Sequence, residues 1–464
     1  MSRSAMLSLI ASLALAVAAV SAAYAGSTDH ASEVDGLAAI ASIPVSTFAT
    51  LPLIGPINPG NPEGMAADDF GLLHVNTFDT SNICYTLPSA TAAVANAATP
   101  DVGSAELRRF LESHQHADSA PHPPPPANTF NYIFTYDQFG HLVAQTPFVP
   151  CGAPLGMQAI GHKLYVIDVF YGQVDRYKLP LTDTSTPEAT YNVCGGFLVA
   201  FGLPVKNNGP FCALNDMKLG PDGRLYIADN GAGPAFVFSS CCLAGHIWEL
   251  NPTDGTSSVF YSDPSLNVDP NSAPPFGVAA AVFDPRGKNL YMSNFSTSYV
   301  YRLGVQPVDA GKPPSPTNPL AAPTGSPSVF YHDTSILLGP NHMAFDGEAR
   351  LWITSGENNQ VVKFDTDNGT VLATAGSFCG LTKKGAPKCL LQPANIVKLG
   401  NEMYVDNEAN PGLNCLNTEA GAPGSLVPAG LPPLCGPGVT PSSTWTNLKL
   451  YTISSFPRHA EYGK

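Results

Sequence analysis

An all-β, six-bladed β-propeller of four-stranded antiparallel blades is the fold class this sequence predicts, and three observations predict it. The 464 residues include 42 Gly and 45 Pro, a composition that favours turns and short strands over long helices. One strand–turn–strand pattern recurs six times at intervals of about 60 residues, the mark of a repeat architecture. Further short alternating segments follow each copy, so a unit offers four strands, the number in a propeller blade.

The chain opens on Arg3, an apolar stretch from Met6 to Val20, and Ala23-Tyr24-Ala25, an A-x-A site. These features predict a signal peptide over residues 1–25 and a secreted or periplasmic protein, with an uncleaved anchor as the alternative. The apolar run is short for a membrane span and no later segment offers one, so no integral span is expected after cleavage. Residues 26–44 form an N-terminal extension, 45–456 the propeller and 457–464 a tail.

The repeats begin PEGMAADDFGLLHVN at Pro62, PLGMQAIGHKLYVID at Pro154 and LNDMKLGPDGRLYIAD at Leu214. They continue with FGVAAAVFDPRGKNLYMSN at Phe276, whose first strand reads as lengthened, PNHMAFDGEARLWITS at Pro340 and PANIVKLGNEMYVDN at Pro393. Alternating apolar residues around D-G and related turns make each an antiparallel hairpin. Third strands read YIFTYD, GQVDRYKL, GHIWELN, YVYRLG, QVVKFD and LKLYTI, and fourth strands are visible from Ser257 and Ser328. The last unit lacks a clear fourth strand, and VSTFATLP from Val45 resembles the others. We therefore expect the N-terminal strand to complete the last blade and close the ring, removing an exposed edge. Three stretches interrupt the pattern and are expected to be mobile. They are an insertion over 81–128 with a helix candidate from Ser104 and a proline linker, a loop over Pro307–Pro327, and a loop over Asn410–Ser443.

Charged residues are only 12% of the chain and the formal net charge is −14, which argues against nucleic acid as a partner. Ten cysteines in an exported chain read as disulfides. Cys379/Cys389 and Cys415/Cys435 would close local loops, Cys194/Cys212 and Cys84/Cys151 are plausible pairs, and Cys241-Cys242 stays open. No haem, zinc-ribbon, G-x-S-x-G, H-E-x-x-H, P-loop or dinucleotide motif occurs.

At LNDMKLGPDGRLYIADNG the chain resembles the gluconolactonase/regucalcin-like family of six-bladed propellers, and more loosely the NHL-repeat proteins. The resemblance implies a divalent cation, often calcium, at the mouth of the central channel, and hydrolysis of lactones or related esters. Carried over by position, it puts Glu63 where the family has an acidic ligand and Asn215-Asp216 at its N-D pair. Asn341 falls where the lactonases usually have Asp, and Ala279 stands where an asparagine ligand is missing. Inner strands of a propeller start around one funnel, so Glu63, Leu155, Asn215, Ala279, Asn341 and Ala394 should ring it. Glu63, Asn215 and Asn341 are then the expected metal ligands, since oxygen donors suit a hard cation. Asp216 is the expected general base, with His342 a second candidate and Asn395 a further polar group one residue deeper.

Plainer readings stand beside these. A water-filled channel collects polar side chains without chemistry, and Asp168, Asp229 and Asp406 recur as turn caps. Trp248 and Trp352 read as core, the His114/His116/His122 group as a loop, and Asn294 and Asn368 as sequons only in a glycosylating host. Two functions follow for an exported chain with a small-molecule substrate or ligand. One is a metal-dependent lactone or ester hydrolase; the alternative is a non-catalytic propeller that binds a ligand or a protein partner.

Overall fold

The computed structural model describes residues 40–52, 61–78, 131–149, 152–196, 209–231, 243–269, 276–376, 390–407 and 452–457. The expected signal peptide, the insertion with its helix candidate and histidines, the loop from Asn410 and eight of the ten cysteines lie outside the described residues.

Six sheets carry the described strands, and each is antiparallel between sequence neighbours. From the centre outward, blade 1 comprises Asn61–Ala67, Leu73–Phe78, Tyr132–Tyr136 and Leu142–Pro147. Blade 2 comprises Pro154–Ile160, Lys163–Asp168, Gln173–Lys178 and Ala189–Asn192. Blade 3 has Leu214–Leu219, Leu225–Asp229, His246–Leu250 and Ser257–Ser262; blade 4 has Val278–Phe283, Asn289–Asn294, Tyr299–Gly304 and Ser328–Tyr331. Blade 5 has Pro340–Phe345, Leu351–Ser355, Gln360–Phe364 and Val371–Ala375, and blade 6 has Pro393–Leu399, Glu402–Asn407, Thr452–Pro457 and Ser46–Thr50. Each inner strand packs beside those of the neighbouring blades, the sixth beside the first, so the molecule is a six-bladed propeller.

Two details depart from the sequence reading. The third strand of blade 6 is TISSFP, overlapping only the end of LKLYTI; Ile453 and Phe456 are its buried apolar residues. Ser46–Thr50 lies antiparallel beside it, with Thr47 opposite Ser454. Before that strand, Ala41–Ile43 runs parallel to the outer strand of blade 5, with Ala41 opposite Ala373. Residues 41–50 thus pass from the edge of blade 5 to blade 6 and include part of the expected extension.

The cores lie between blades because alternate side chains of a strand face opposite sides of its sheet. Met65, Val75 and Phe134 of blade 1 pack on Leu391, Tyr404 and Ile453 of blade 6. Trp352 of blade 5 packs with Ile43, Ile396 and Phe456. Each such buried side chain contributes about 1.5–3 kcal/mol relative to exposure. Near the axis the backbones themselves approach: a Cβ on Gly64 would fall 2.0 Å from Leu155 O, so only glycine fits there.

Every inner strand also carries one extra residue relative to its partner, near its start. The irregularities lie between Pro62/Met65, Pro154/Met157, Leu214/Met217, Val278/Ala280, Pro340/Met343 and Pro393/Ile396. The first strand of blade 4 is therefore not lengthened. Phe283 pairs with Leu290 where blade 5 pairs Phe345 with Leu351, so the extra residue sits in the hairpin turn.

The loop from Pro307 is folded rather than loose. Asn318 Nδ2 donates to the carbonyls of Asp309, Lys312 and Pro313, and Leu320 N donates to Asp222 Oδ2 at 3.1 Å, tying the loop to blade 3.

Candidate functional site

The bulges make Glu63, Leu155, Asn215, Ala279, Asn341 and Ala394 equivalent around the channel, as the repeat alignment expects. Bulges of this kind re-aim side chains beside functional sites. The carbonyls at five of these positions accept a bond from a polar side chain of the preceding blade. Asn76 Nδ2 donates to Leu155 O, Asn215 Nδ2 to Ala279 O at 2.8 Å and Ser293 Oγ to Asn341 O at 2.7 Å. Thr354 Oγ1 donates to Ala394 O at 2.8 Å, and Asn395 Nδ2 to Glu63 O at 3.3 Å. At the remaining position Asn215 O lies against the Cα of Gly156, where a Cβ would approach within 2.6 Å. The ring is thus a seam of side-chain-to-backbone bonds as well as a funnel.

One residue deeper, blades 3 and 5, the two that flank blade 4, bring ionisable side chains together. His342 Nδ1 stands 3.2 Å from Asp216 Oδ1, an ion-pair distance outside good hydrogen-bond angles, and both side chains are fully buried. Lys218 Nζ donates to the same Asp216 oxygen at 2.9 Å. On the other side of the imidazole, His342 Nε2 lies 3.5 Å from Asn215 Nδ2. Burial works against the Asp216 carboxylate, yet the Lys218 charge and the His342 imidazole beside it outweigh burial and hold its pKa at about 2. An amide N–H facing Nε2 and a carboxylate facing Nδ1 fit the neutral Nδ1–H tautomer, which leaves the Nε2 lone pair towards Asn215.

Of the expected residues, the structure brings Asn215, Asp216 and His342 together. It sets Glu63 and Asn341 on the same ring: Glu63 is partly buried and Asn341 is 8% exposed. Among the described residues no group of three or more His, Cys, Asp or Glu could hold a metal. The expected set is one carboxylate and two amides instead. Asn215 commits its Nδ2 to Ala279 O, which leaves its Oδ1 as the acceptor available to a cation, and the Asn341 amide has no bond among the described residues. Oxygen donors of this kind fit a hard ion.

Sequence reasoning missed Lys218, whose signal is a lysine two residues beyond Asp216 on the same strand face. Lys218 lines a cavity of about 200 Å³ lower in the channel, with Met65, Met157, Met343, Ile396 and Lys398. It also missed Glu357, whose side chain packs on Gly339 beside the start of the blade 5 inner strand. Part of Glu357 is exposed, but enclosure of its carboxyl pushes its pKa up to about 7.

Other polar sets prove architectural. Asp168 and Asp229 cap turns, accepting Ala153 N at 3.2 Å and Ala213 N at 2.7 Å, and Asp406 accepts Asn395 N at 2.6 Å. Asp68, His74 and Thr135 form a buried chain with 3.0 Å contacts that looks like a nucleophile relay. In blade 5 the matching places hold Asp346 bonded to Trp352 Nε1 at 3.0 Å, and in blade 3 Asp222 bonded to Tyr226. The motif anchors a hairpin turn to the ring behind it. The Asn294 sequon is buried, with its Nδ2 on two backbone carbonyls, whereas Asn368 is exposed.

No family model matches the chain, and no curated relative does. Solved structures similar to it include a luciferin-regenerating enzyme, at 12% identity and TM-score 0.48 over 90% of this chain and 97% of the other. Regucalcin from Agrobacterium tumefaciens, a calcium-binding protein, matches at 15% identity and TM-score 0.44 over 80% and 90%. A gluconolactonase from Xanthomonas campestris matches at 11% identity and TM-score 0.41 over 75% and 83%.

Proposed function

We propose that the chain is an exported, divalent-metal-dependent hydrolase of a lactone or related small carbonyl ester, working at the mouth of the propeller channel. The observation that carries the proposal is the buried relay from Asp216 through His342 to Asn215, placed at the ring where Glu63 and Asn341 also stand. The Glu63 carboxylate and the Asn215 and Asn341 amide oxygens would hold the ion, with calcium the choice for such donors. A bound divalent cation supplies polarisation of the substrate carbonyl and a lowered pKa for a water. His342 Nε2 takes the proton from the attacking water, which must replace the Asn215 N–H that faces it, and later returns it to the leaving oxygen. Asp216 stays ionised throughout, fixing the tautomer and stabilising the imidazolium, because a carboxylate held near pKa 2 is a weak base. His342 thereby takes the base role that the sequence reading gave first to Asp216.

The second reading is a non-catalytic propeller that binds a ligand or protein. The observation favouring it is that His342 is fully buried and that Asn215 shares in the seam that stitches blades together.

The test is hydrolysis of a γ- and δ-lactone panel by the full chain, chelated and then resupplied with calcium. Expected are calcium-dependent turnover, a loss of about 100-fold or more in kcat for His342→Gln, and loss of calcium dependence in Glu63→Ala. Turnover unchanged in His342→Gln would remove it as the base. No turnover of any lactone, with a calcium response still lost in Glu63→Ala, would select the binding reading.

A further inference from the structure

Blade 2 gathers a second set of oxygen atoms outside the channel ring. Its register sets Asp168 opposite Gln173, and Asp175 opposite both Val166 and Thr190. Residues directly opposed, or two apart along one strand, share a face of the sheet. Asp168, Gln173, Asp175 and Thr190 therefore lie on one face, with the first three buried and Thr190 at the exposed outer strand. Thr190 Oγ1 donates to Asp175 Oδ1 at 2.5 Å. Gln173 Nε2 lies 3.4 and 3.3 Å from the two Asp175 oxygens. Asp168 Oδ1 caps its turn, but Asp168 Oδ2 and Gln173 Oε1 meet no hydrogen-bond donor among the described residues.

Blade 3, which carries an acid at the same place as Asp168, offers a comparison. There the matching places hold Asp229, His246 and Trp248. Asp229 Oδ2 accepts Trp248 Nε1 at 3.0 Å and lies 3.6 Å from His246 Nδ1. Blade 2 puts a carboxylate where blade 3 has the indole N–H, and an amide where it has the imidazole. The indole donor has been exchanged for an acceptor, and the amide that replaces the imidazole spends its N–H on Asp175; a buried carboxylate oxygen without a donor is costly. Burial and then the Asp175 charge push the Asp168 pKa up to about 7.

We infer that Asp168, Gln173 and Asp175 form a cation site within blade 2, taking a hard ion such as calcium or sodium through carboxylate and amide oxygens. The ion meets the two orphaned acceptors at once and ties the second strand of the blade to the third, a structural role distinct from the channel mouth. Thr190 stands on the solvent side of Asp175 and marks the approach.

The experiment is thermal unfolding of the full chain, chelated in a buffer free of both metals and titrated with calcium chloride or, separately, sodium chloride. Bound calcium per chain is measured by elemental analysis. Variants are Asp175→Asn, Gln173→Met and Glu63→Ala. Expected is a saturable rise in midpoint and bound metal that persists in Glu63→Ala and is lost in both blade 2 variants. A response lost in Glu63→Ala but kept in Asp175→Asn and Gln173→Met would assign the ion to the channel and overturn the inference. No metal response in any protein would equally overturn it. Should Asp175→Asn fail to fold, Gln173→Met, which keeps both carboxylates, decides between the outcomes. The channel reading stands or falls separately on Glu63→Ala.

Discussion

Asp216 sets the pH behaviour of the candidate site. Its folded pKa of about 2 lies below the ordinary 3.8, so the stability it contributes is present above about pH 4 and lost as pH falls through 2. Asp216→Asn should therefore flatten the acid limb of a midpoint-versus-pH curve between pH 4 and 2. An unchanged limb would mean that Lys218 and His342 do not hold the carboxylate. Lys218→Met breaks a buried pair and leaves Asp216 short of its ammonium; about 3 kcal/mol of stability should go, read by denaturant unfolding. Asn215, Asp216 and His342 were legible because the repeat places them at matching positions near the starts of inner strands. Lys218 was not, since a lysine on a strand reads as a solvent-facing residue until the channel is built around it. Glu357 was hidden for a related reason: nothing in S-G-E-N-N tells that Gly339, from the connection between blades 4 and 5, will pack on its side chain.

The inner strand with its bulge is the element that joins fold to site. One extra residue per blade turns the ring carbonyls towards the preceding blade, where Asn76, Asn215, Ser293, Thr354 and Asn395 meet five of them. Thr354 does this twice over, because it also receives His342 N at 2.9 Å. Thr354→Val keeps the shape and removes the hydroxyl, leaving Ala394 O and His342 N unpaired. It should cost about 1–3 kcal/mol and blunt any activity that depends on His342, checked by unfolding and initial rates on the same preparation. A variant as stable as the parent would show that the seam is dispensable. The strands themselves were readable from alternation and turns, but bulges were not, because an added residue leaves the apolar pattern intact and shows only in pairing. Among the cysteines the Cys194–Cys212 bond is present, closing a separation of 18 residues between blades 2 and 3. Replacing both by serine should lower stability by about 3 kcal/mol on chain-entropy grounds, measurable by denaturant titration.

At the scale of the whole molecule, six similar units must be held as one ring, and the N-terminal residues lie where two units could part. A six-fold repeat made the architecture readable from the sequence, since each copy confirms the others. The path of residues 41–50 was readable only in half: Ser46–Thr50 resembles a fourth strand, whereas Ala-Ser-Ile is too short to declare a partner and gains its place by parallel pairing with blade 5. Ile43 is buried with Trp352, Ile396 and Phe456, so this segment fills the interface between blades 5 and 6 as well as covering their edges. A chain that begins at Ile40 keeps both N-terminal strands. One that begins after Pro52 loses the outer strand of blade 6, the cover of blade 5 and the Ile43 contact together. It should melt lower and self-associate, because uncovered outer strands present unpaired N–H and C=O groups to other chains. Supplying residues 40–52 as a separate peptide should restore the midpoint and the monomer, read by calorimetry and light scattering. If the shorter chain instead stays monomeric at the parental midpoint, the ring is held by its inner-strand seam alone, and the N-terminal strands are an addition to a structure already closed.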